Sequence, residues 1–448
     1  MRIVMINSQD RGGGAAWIAF RLSELLGRRG HDVELWVGRK RTNENWVREI
    51  PVAGETTRLA GVVRSLLRIL DRASPEDPAT ERHHTRRALQ LLQIRSRVRQ
   101  WRGLEDYALP GAGAWHKMLG TGTGILHLHN LHGLVGRSHF ALPRIATIGA
   151  AVPVVWTLHD MWAYTGHCVY SFACERWKTG CGRCPNLGSY SPVSRDRTAR
   201  NLKGKSELYG ARPVHIVAPC RWMLDQAKSS ILRDTMASAS LLPYGVDLDL
   251  FSPAPDRGAI RSGLGIRPDE TALVFISDLG RRTPFRDFGF VEKLALAYGQ
   301  TPNPRRLVVF EAGGNVGGES TSYGRYVGTG PLSRAGIRDL LRAGDVFMYP
   351  AITDNFPNVV LEALASGIPV VSTLVGGIPE QVRDGVDGFL HAPGDLAAAL
   401  RALDAVLAPG AAETLGRAGR RRAEAEFGEA RMVDAYEALY LSVRNRAI

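Results

Sequence analysis

The stretch Asp354-Asn355-Phe356-Pro357-Asn358-Val359-Val360-Leu361-Glu362-Ala363-Leu364-Ala365-Ser366-Gly367-Ile368-Pro369-Val370-Val371 decides how this chain is read. Two acids, Asp354 and Glu362, stand on either side of a loop-to-helix junction. Pro357 suits the first helical position, where its missing N–H costs nothing, and Gly367 suits a left-handed stop. Val360, Ala363 and Leu364 fall on one stripe at helical spacing, which predicts that Glu362 faces elsewhere. The first turn of such a helix offers unpaired N–H groups and a positive dipole end, a seat for a diphosphate. Pro369–Ser372 then reads as a strand, followed by the turn Gly376-Gly377-Ile378-Pro379-Glu380.

Strand and helix signals alternate on both sides of that stretch, which predicts an α/β architecture with parallel sheets. Strand-like runs are Ile3–Ile6, Val33–Val37, Ile125–His129, Val152–Leu158 and His215–Ala218. A second set is Leu273–Ser277, Leu307–Phe310, Val346–Tyr349 and Pro369–Ser372. Ala254–Gly265 is polar and bears Gly and Pro, as a linker does, so two Rossmann-like halves are expected to meet near residue 250. The tail from Ala411, rich in Ala, Glu and Arg, reads as helix.

The chain has 448 residues, 44% hydrophobic and 23% charged, which bounds it as a globular protein of two or three domains. No apolar run approaches the ~20 residues of a membrane span. Met1–Asn7 turns polar too soon for a secretory leader, so a cytoplasmic location is expected. A net charge of +13 favours an anionic partner. Nucleic acid is set aside, because no recognised binding motif accompanies the charge. Much of the excess lies between Arg58 and Arg102, where Leu59, Val62, Val63, Leu66, Leu67 and Leu70 give an apolar helical face. Such a helix either rests peripherally on anionic lipid at the inner face of the cell membrane or packs on its own domain.

The opening stretch, with its Pro-Val-Val strand and Gly-Gly turn, closely resembles the donor-site signature of the family 4 glycosyltransferases. These are retaining enzymes of the GT-B fold, whose pattern reads Glu-x7-Glu. The resemblance implies two Rossmann-like domains facing each other across a cleft. Residues 1–250 would bind the acceptor, 251–430 the nucleotide sugar, and 431–448 would form a terminal helix packing back on the first domain. It further implies that Asp354 contacts the transferred sugar and stabilises its cationic transition state. Backbone groups of Asn355, Phe356, Pro357, Asn358 and Val359 would hold the nucleotide, with Glu362 on the ribose. Asp354 departs from the family's Glu by one methylene, which puts the choice of sugar in question.

Asp10-Arg11-Gly12-Gly13-Gly14 opens a helix after the first strand. Glycines here let a ligand or another domain approach the backbone, and Gly13 and Gly14 resemble the family loop that faces the donor diphosphate. A dinucleotide fingerprint would need a third glycine where Trp17 stands. His127-Leu128-His129-Asn130-Leu131-His132 and Trp156-Thr157-Leu158-His159-Asp160-Met161-Trp162 each end a strand, where open α/β sheets place ligands. His159 matches the family histidine near the reacting sugar, and Asp160 with Trp162 would line the acceptor pocket. Arg282, or its neighbour Arg281, and Arg286 fall where the family carries an Arg and a Lys against the departing diphosphate. Arg286 in place of Lys is bulkier and binds phosphate bidentately.

Cys168, Cys174, Cys181 and Cys184 gather in one insertion, residues 164–190. In a cytoplasmic chain such grouping suggests metal, and Cys181-x-x-Cys184 has the knuckle spacing of a thiolate zinc site. A structural zinc is expected, with free thiols or disulfides as the alternatives. Similar Cys-bearing loops occur in polysaccharide-assembly members of the resembled family. Together these readings predict metal-independent transfer of a sugar from a nucleotide diphosphate sugar to a carbohydrate or lipid-linked acceptor. The rivals are a nucleotide-sugar epimerase of the same fold and a non-catalytic sugar-nucleotide sensor.

Overall fold

A computed structural model describes residues 1–52, 62–63, 84–85, 87–89, 94–109, 118–120, 122–134, 138–145, 152–210, 212–302 and 304–445. The chain divides into two compact units. The first comprises Met1–Pro219, Met223–Leu242 and Ala435–Ile448; the second comprises Cys220–Trp222 and Pro243–Asp434. Apart from Val62 and Val63, the apolar face expected between Leu59 and Leu70 lies outside the described residues. Among the described residues no helix is long and apolar enough to cross a membrane.

The first unit is built on a seven-stranded parallel sheet. Its strands are β1 (Arg2–Gln9), β2 (Asp32–Arg39), β3 (Val47–Glu49), β5 (Ile125–Leu128), β7 (Val154–Thr157), β8 (Val214–Ala218) and β9 (Met236–Leu241), in the order β3-β2-β1-β5-β7-β8-β9. A separate pair joins β4 (Asp106–Leu109) to β6 (Ser138–Phe140). Ile3, Val4, Met5 and Ile6 are all buried, as a strand covered on both faces requires. That continuous apolar run is why β1 was legible from sequence. By contrast β9, Met-Ala-Ser-Ala-Ser-Leu, alternates in burial with small side chains and carries no such signal. The order of addition reverses between β1 and β5. Their carboxyl ends carry the Asp10–Gly14 loop and the His129–His132 segment, and a reversal of this kind is where open sheets bind ligands.

The second unit has β10 (Glu270–Ile276), β11 (Arg306–Ala312), β12 (Val316–Thr321), β13 (Gly324–Gly330), β14 (Val346–Tyr349), β15 (Val370–Thr373) and β16 (Gly388–His391). Their order is β12-β13-β11-β10-β14-β15-β16. Only β12 runs antiparallel, as the exposed outer arm of a glycine-rich hairpin that strand periodicity did not reveal. Leu273, Phe275, Val291, Leu294, Val309, Met348 and Leu403 form its core. Here the reversal falls between β10 and β14, so the loops carrying Arg282, Arg286 and Asp354 leave the same point of the sheet. The α/β expectation of two parallel-sheet, Rossmann-like units is met.

Candidate functional site

The helix at the decisive stretch runs Asn358–Ser366. Pro357 caps it from the preceding position, rather than occupying its first turn as expected, and Gly367 stops it in the left-handed region at φ 74°. Every residue from Val360 to Ser366 is buried, Glu362 among them, although it stands off the stripe of Val360, Ala363 and Leu364. The helix lies inside the unit, and Glu362 is 6% exposed. A buried carboxylate needs a partner, and Arg334 supplies one, its Nη1 2.9 Å from Oε1. Burial pushes the Glu362 carboxyl up, and Arg334 offsets part of that rise. Arg334 opens the helix Arg334–Ala343 behind its cap Ser333 and had no sequence signal beyond that cap.

Asp354 is nearly as buried, 4% exposed. Its Oδ2 accepts from Tyr349 at 2.7 Å and from Arg286 Nη2 at 2.5 Å, while Oδ1 accepts the Asn355 amide at 2.8 Å. Arg286 was expected at a diphosphate; its guanidinium instead sits on Asp354. The backbone of Asp354 is fixed by Gly376, at φ +55°, where a Cβ would come within 1.7 Å of the Asp354 carbonyl oxygen. That position admits only glycine.

The Phe356 ring packs edge-on against Tyr244 and Phe427, so this residue offers a ligand only its backbone. Pro357 gives its carbonyl to Gln381 Nε2 at 3.0 Å. Asn355 is buried, while Asn358 and Val359, half-buried, stand at the helix start. Of the two candidate arginines, Arg281 lies over the Phe288 and Tyr326 rings at 4.7 and 4.5 Å and pairs with Glu292 at 3.3 Å. Arg282 is exposed and makes no such contact among the described residues. Buried Glu311, missed in the sequence, holds this loop by accepting the Arg281 amide at 3.1 Å and the Tyr326 hydroxyl at 2.6 Å.

In the first unit, Gly13 caps the helix Gly14–Arg28 and, like Gly12, has φ 92°. Asp10, fully buried, holds this loop to Arg41 and Thr42 through their main-chain amides at 2.8 and 2.9 Å. The strand-end histidines are brought together. His129 Nδ1 lies 2.8 Å from His159 Nε2, and His132 Nε2 lies 2.8 Å from Asp160 Oδ2. His127 is bracketed by the Tyr440 hydroxyl at 2.7 Å and by Thr157 at 2.8 Å. Asp160 also accepts the Trp162 amide at 2.9 Å.

Burial holds His127, His129, His139 and His159 neutral. It lowers His159 to about 4, against an opposing pull from Asp160, and lowers His139 to about 3. His127 and His129 are pushed well below their ordinary range, burial again leading. An unfolded histidine takes its proton near pH 6.5. Below that pH the unfolded chain therefore binds more protons than the folded one, and stability must fall as pH drops from about 6.5 toward 4. Urea midpoints at pH 7.5, 5.5 and 4.5 are expected to decline in that order. Equal midpoints at 7.5 and 4.5 would contradict this account of the rim.

The four cysteines of the insertion are unbridged. Burial pushes Cys168 up to about 12 and Cys181 up to about 11. His167 Nε2 lies 3.4 Å from Cys184 Sγ. Among the described residues no group of three or more His, Cys, Asp or Glu side chains is posed to hold a metal ion.

Residues 316–408 match the family model described as glycosyl transferases group 1. The chain is 27% identical over 271 residues to WcaC of Escherichia coli K12, named for colanic acid biosynthesis, covering 56% of this chain and 59% of that one. It is 36% identical over 197 residues to D-inositol 3-phosphate glycosyltransferase of Actinosynnema mirum, covering 40% and 46%. The chain thus spans about half the length of the curated relatives it matches. Sucrose-phosphate synthase of Thermosynechococcus elongatus shares the fold at TM-score 0.62 and 19% identity, over 99% of this chain and 98% of that one. HepE of Anabaena, solved with UDP, does so at TM-score 0.59 and 16% identity, over 99% and 100%. The family-model match runs through the 354–362 stretch, so residues 316–408 resemble a glycosyl transferases group 1 domain, and the chain as a whole has the GT-B fold.

Proposed function

We propose that the chain transfers a sugar, with retention of anomeric configuration, from a nucleotide diphosphate sugar to a carbohydrate or lipid-linked acceptor in exopolysaccharide or cell-surface glycan assembly. The observation that carries this is the buried Glu362, held by Arg334 beside a helix start at the switch point of the second sheet. A carboxylate so placed accepts from a ribose diol, and the helix start accepts phosphate. Support comes from HepE, whose solved complexes contain UDP and UDP-glucose, and from WcaC, named for colanic acid biosynthesis.

Arg282, exposed beside that site, supplies the charge that stabilises the departing diphosphate without a metal ion. His159, neutral at physiological pH, contacts the transferred sugar as a hydrogen-bonding group rather than as a cation. Front-face attack completes the reading, with the leaving phosphate oxygen taking the acceptor hydroxyl proton.

The test is nucleotide release from UDP-, GDP-, ADP- and dTDP-sugars, with and without polyprenyl-diphosphate-linked sugars. Release that requires the acceptor is expected. Interconversion of the donor sugar without acceptor would make the protein an epimerase, and binding without release under every condition a sensor.

We also propose that the thiols of Cys168, Cys174, Cys181 and Cys184 form a structural zinc site once the ion draws the sulfurs together. No step of the transfer runs through it. Purified protein is expected to carry about one zinc per chain, its four thiols reacting only after chelation. Four reactive thiols and no zinc would remove the proposal.

A further inference from the structure

Arg286 and Asp354 come from different loops, yet their pairing is built into the backbone. The loop after β10 and the loop after β14 bond to each other, Asp287 N to Pro350 O at 2.9 Å and Ile352 N to Phe285 O at 2.8 Å. An isolated bridge also joins Arg286 to Ala351. Both side chains therefore start from a fixed base. Tyr349, fully buried, closes the arrangement: Arg286 Nε donates to its oxygen, and its hydroxyl donates to Asp354 Oδ2 at 2.7 Å. The Arg286 guanidinium also lies over the Tyr349 ring, 5.2 Å from its centre.

Two consequences follow from this wiring. A guanidinium bound to a carboxylate at 2.5 Å presents little net positive charge to a phosphate. Asp354 in turn has spent its Oδ2 on two donors and one lone pair of Oδ1 on the Asn355 amide, which leaves one acceptor position for a sugar hydroxyl.

We infer that Arg286, Tyr349 and Asp354 act as one sugar-reading unit, in which Arg286 positions the Asp354 carboxylate while the diphosphate is taken by Arg282 and the helix start at Asn358. The inference rests on the glycosyltransferase reading and assigns roles within that site. It also joins two departures from the family pattern: the acid is one methylene shorter, and the base facing it is a longer, forked one.

The experiment measures, by calorimetry, the affinity of the tightest-binding member of UDP, GDP, ADP and dTDP. Arg282→Ala is expected to weaken it about tenfold, roughly one charge-assisted hydrogen bond, and Arg286→Lys and Arg286→Ala by less than about threefold. A loss in Arg286→Ala equal to that in Arg282→Ala overturns the inference. The second arm is a double-substitution cycle on turnover. Asp354→Glu and Arg286→Lys are each expected to lower kcat about 30-fold, and the double variant no further than the worse single one, because paired groups are not additive. A multiplied loss of about 900-fold would show two independent roles and would also overturn it. If none of the four nucleotides binds the unaltered protein, the donor reading itself fails and takes this inference with it.

Discussion

Replacing Lys205 with methionine is expected to cost about 3–5 kcal/mol of stability, because it strands a buried carboxylate. Lys205 is fully buried and its ammonium reaches Glu105 at 3.0 Å, the Trp162 carbonyl at 2.8 Å and the Thr165 carbonyl at 3.0 Å. It also lies over the Trp162 ring, 3.9 Å from the centre. Burial would raise the Glu105 carboxyl, but Lys205 and His139 outweigh it and the group ends below its ordinary value. Glu105 further accepts from Trp162 Nε1 at 2.6 Å and from Tyr107 at 2.8 Å. Methionine fills the volume but takes away the lysine charge, leaving that carboxylate the Trp162 and Tyr107 donors and His139, 3.9 Å away and held neutral. Adding Glu105→Gln should recover more than half of the loss, since no uncompensated charge then remains. Of the nine tryptophans only Trp222 belongs to the second unit, so fluorescence-detected urea unfolding reports on the first. A single variant within about 1 kcal/mol of the parent would mean that the network is not closed as described. The network also sets the direction of Trp162–Thr165, and hence the place of Asp160 and His159 just before it.

None of that network was legible in the sequence. Glu105, Lys205 and Trp162 are far apart in the chain, and a lysine in a polar helix reads as a solvated one. What the sequence does reveal is local. Strands covered on both faces announce themselves as apolar runs, so β5, β14 and β15 were placed within a residue, and β1 and β10 within three. A helix stop needing positive φ announces itself as glycine, as at Gly367. Strands whose identity comes from a neighbour, such as β9 with its alanines and serines or the β12–β13 hairpin with its glycines, do not. The same divide runs through the site. Its loop residues could be named, but their wiring could not, because Arg286 meets Asp354 through the sheet order that joins β10 to β14, and Arg334 meets Glu362 between the helices before and after β14. Glu362 is the clearest case. Helical periodicity set it off the apolar stripe without saying what it would meet, and the fold buried it against Arg334.

Glu362→Ala is expected to weaken nucleoside diphosphate binding by about 2–3 kcal/mol, or roughly 30- to 150-fold in Kd. The ribose loses its acceptor, and Arg334, which holds that carboxylate at 2.9 Å, loses its acidic partner but not its aromatic one. Burial is the main influence on this carboxyl, so its hydrogen bonds are made in a setting where water competes poorly. Glu362→Gln keeps the shape and one acceptor oxygen, and a loss of about tenfold is expected for the missing charge. Affinity alone does not locate the contact, so the ligand must be altered too. The unaltered protein should prefer a ribonucleoside diphosphate over its 2′,3′-dideoxy analogue, and the alanine variant should bind both alike. Should the preference survive in Glu362→Ala, the ribose is held elsewhere and the helix 358–366 is not the donor seat. Should it vanish while affinity for the dideoxy analogue is unchanged, Arg334 has found another partner and the full effect belongs to the ribose hydroxyls. The second result is the one this geometry favours, because Arg334 also lies over the Phe251 ring, 4.8 Å from its centre, which keeps the guanidinium in place without the acid.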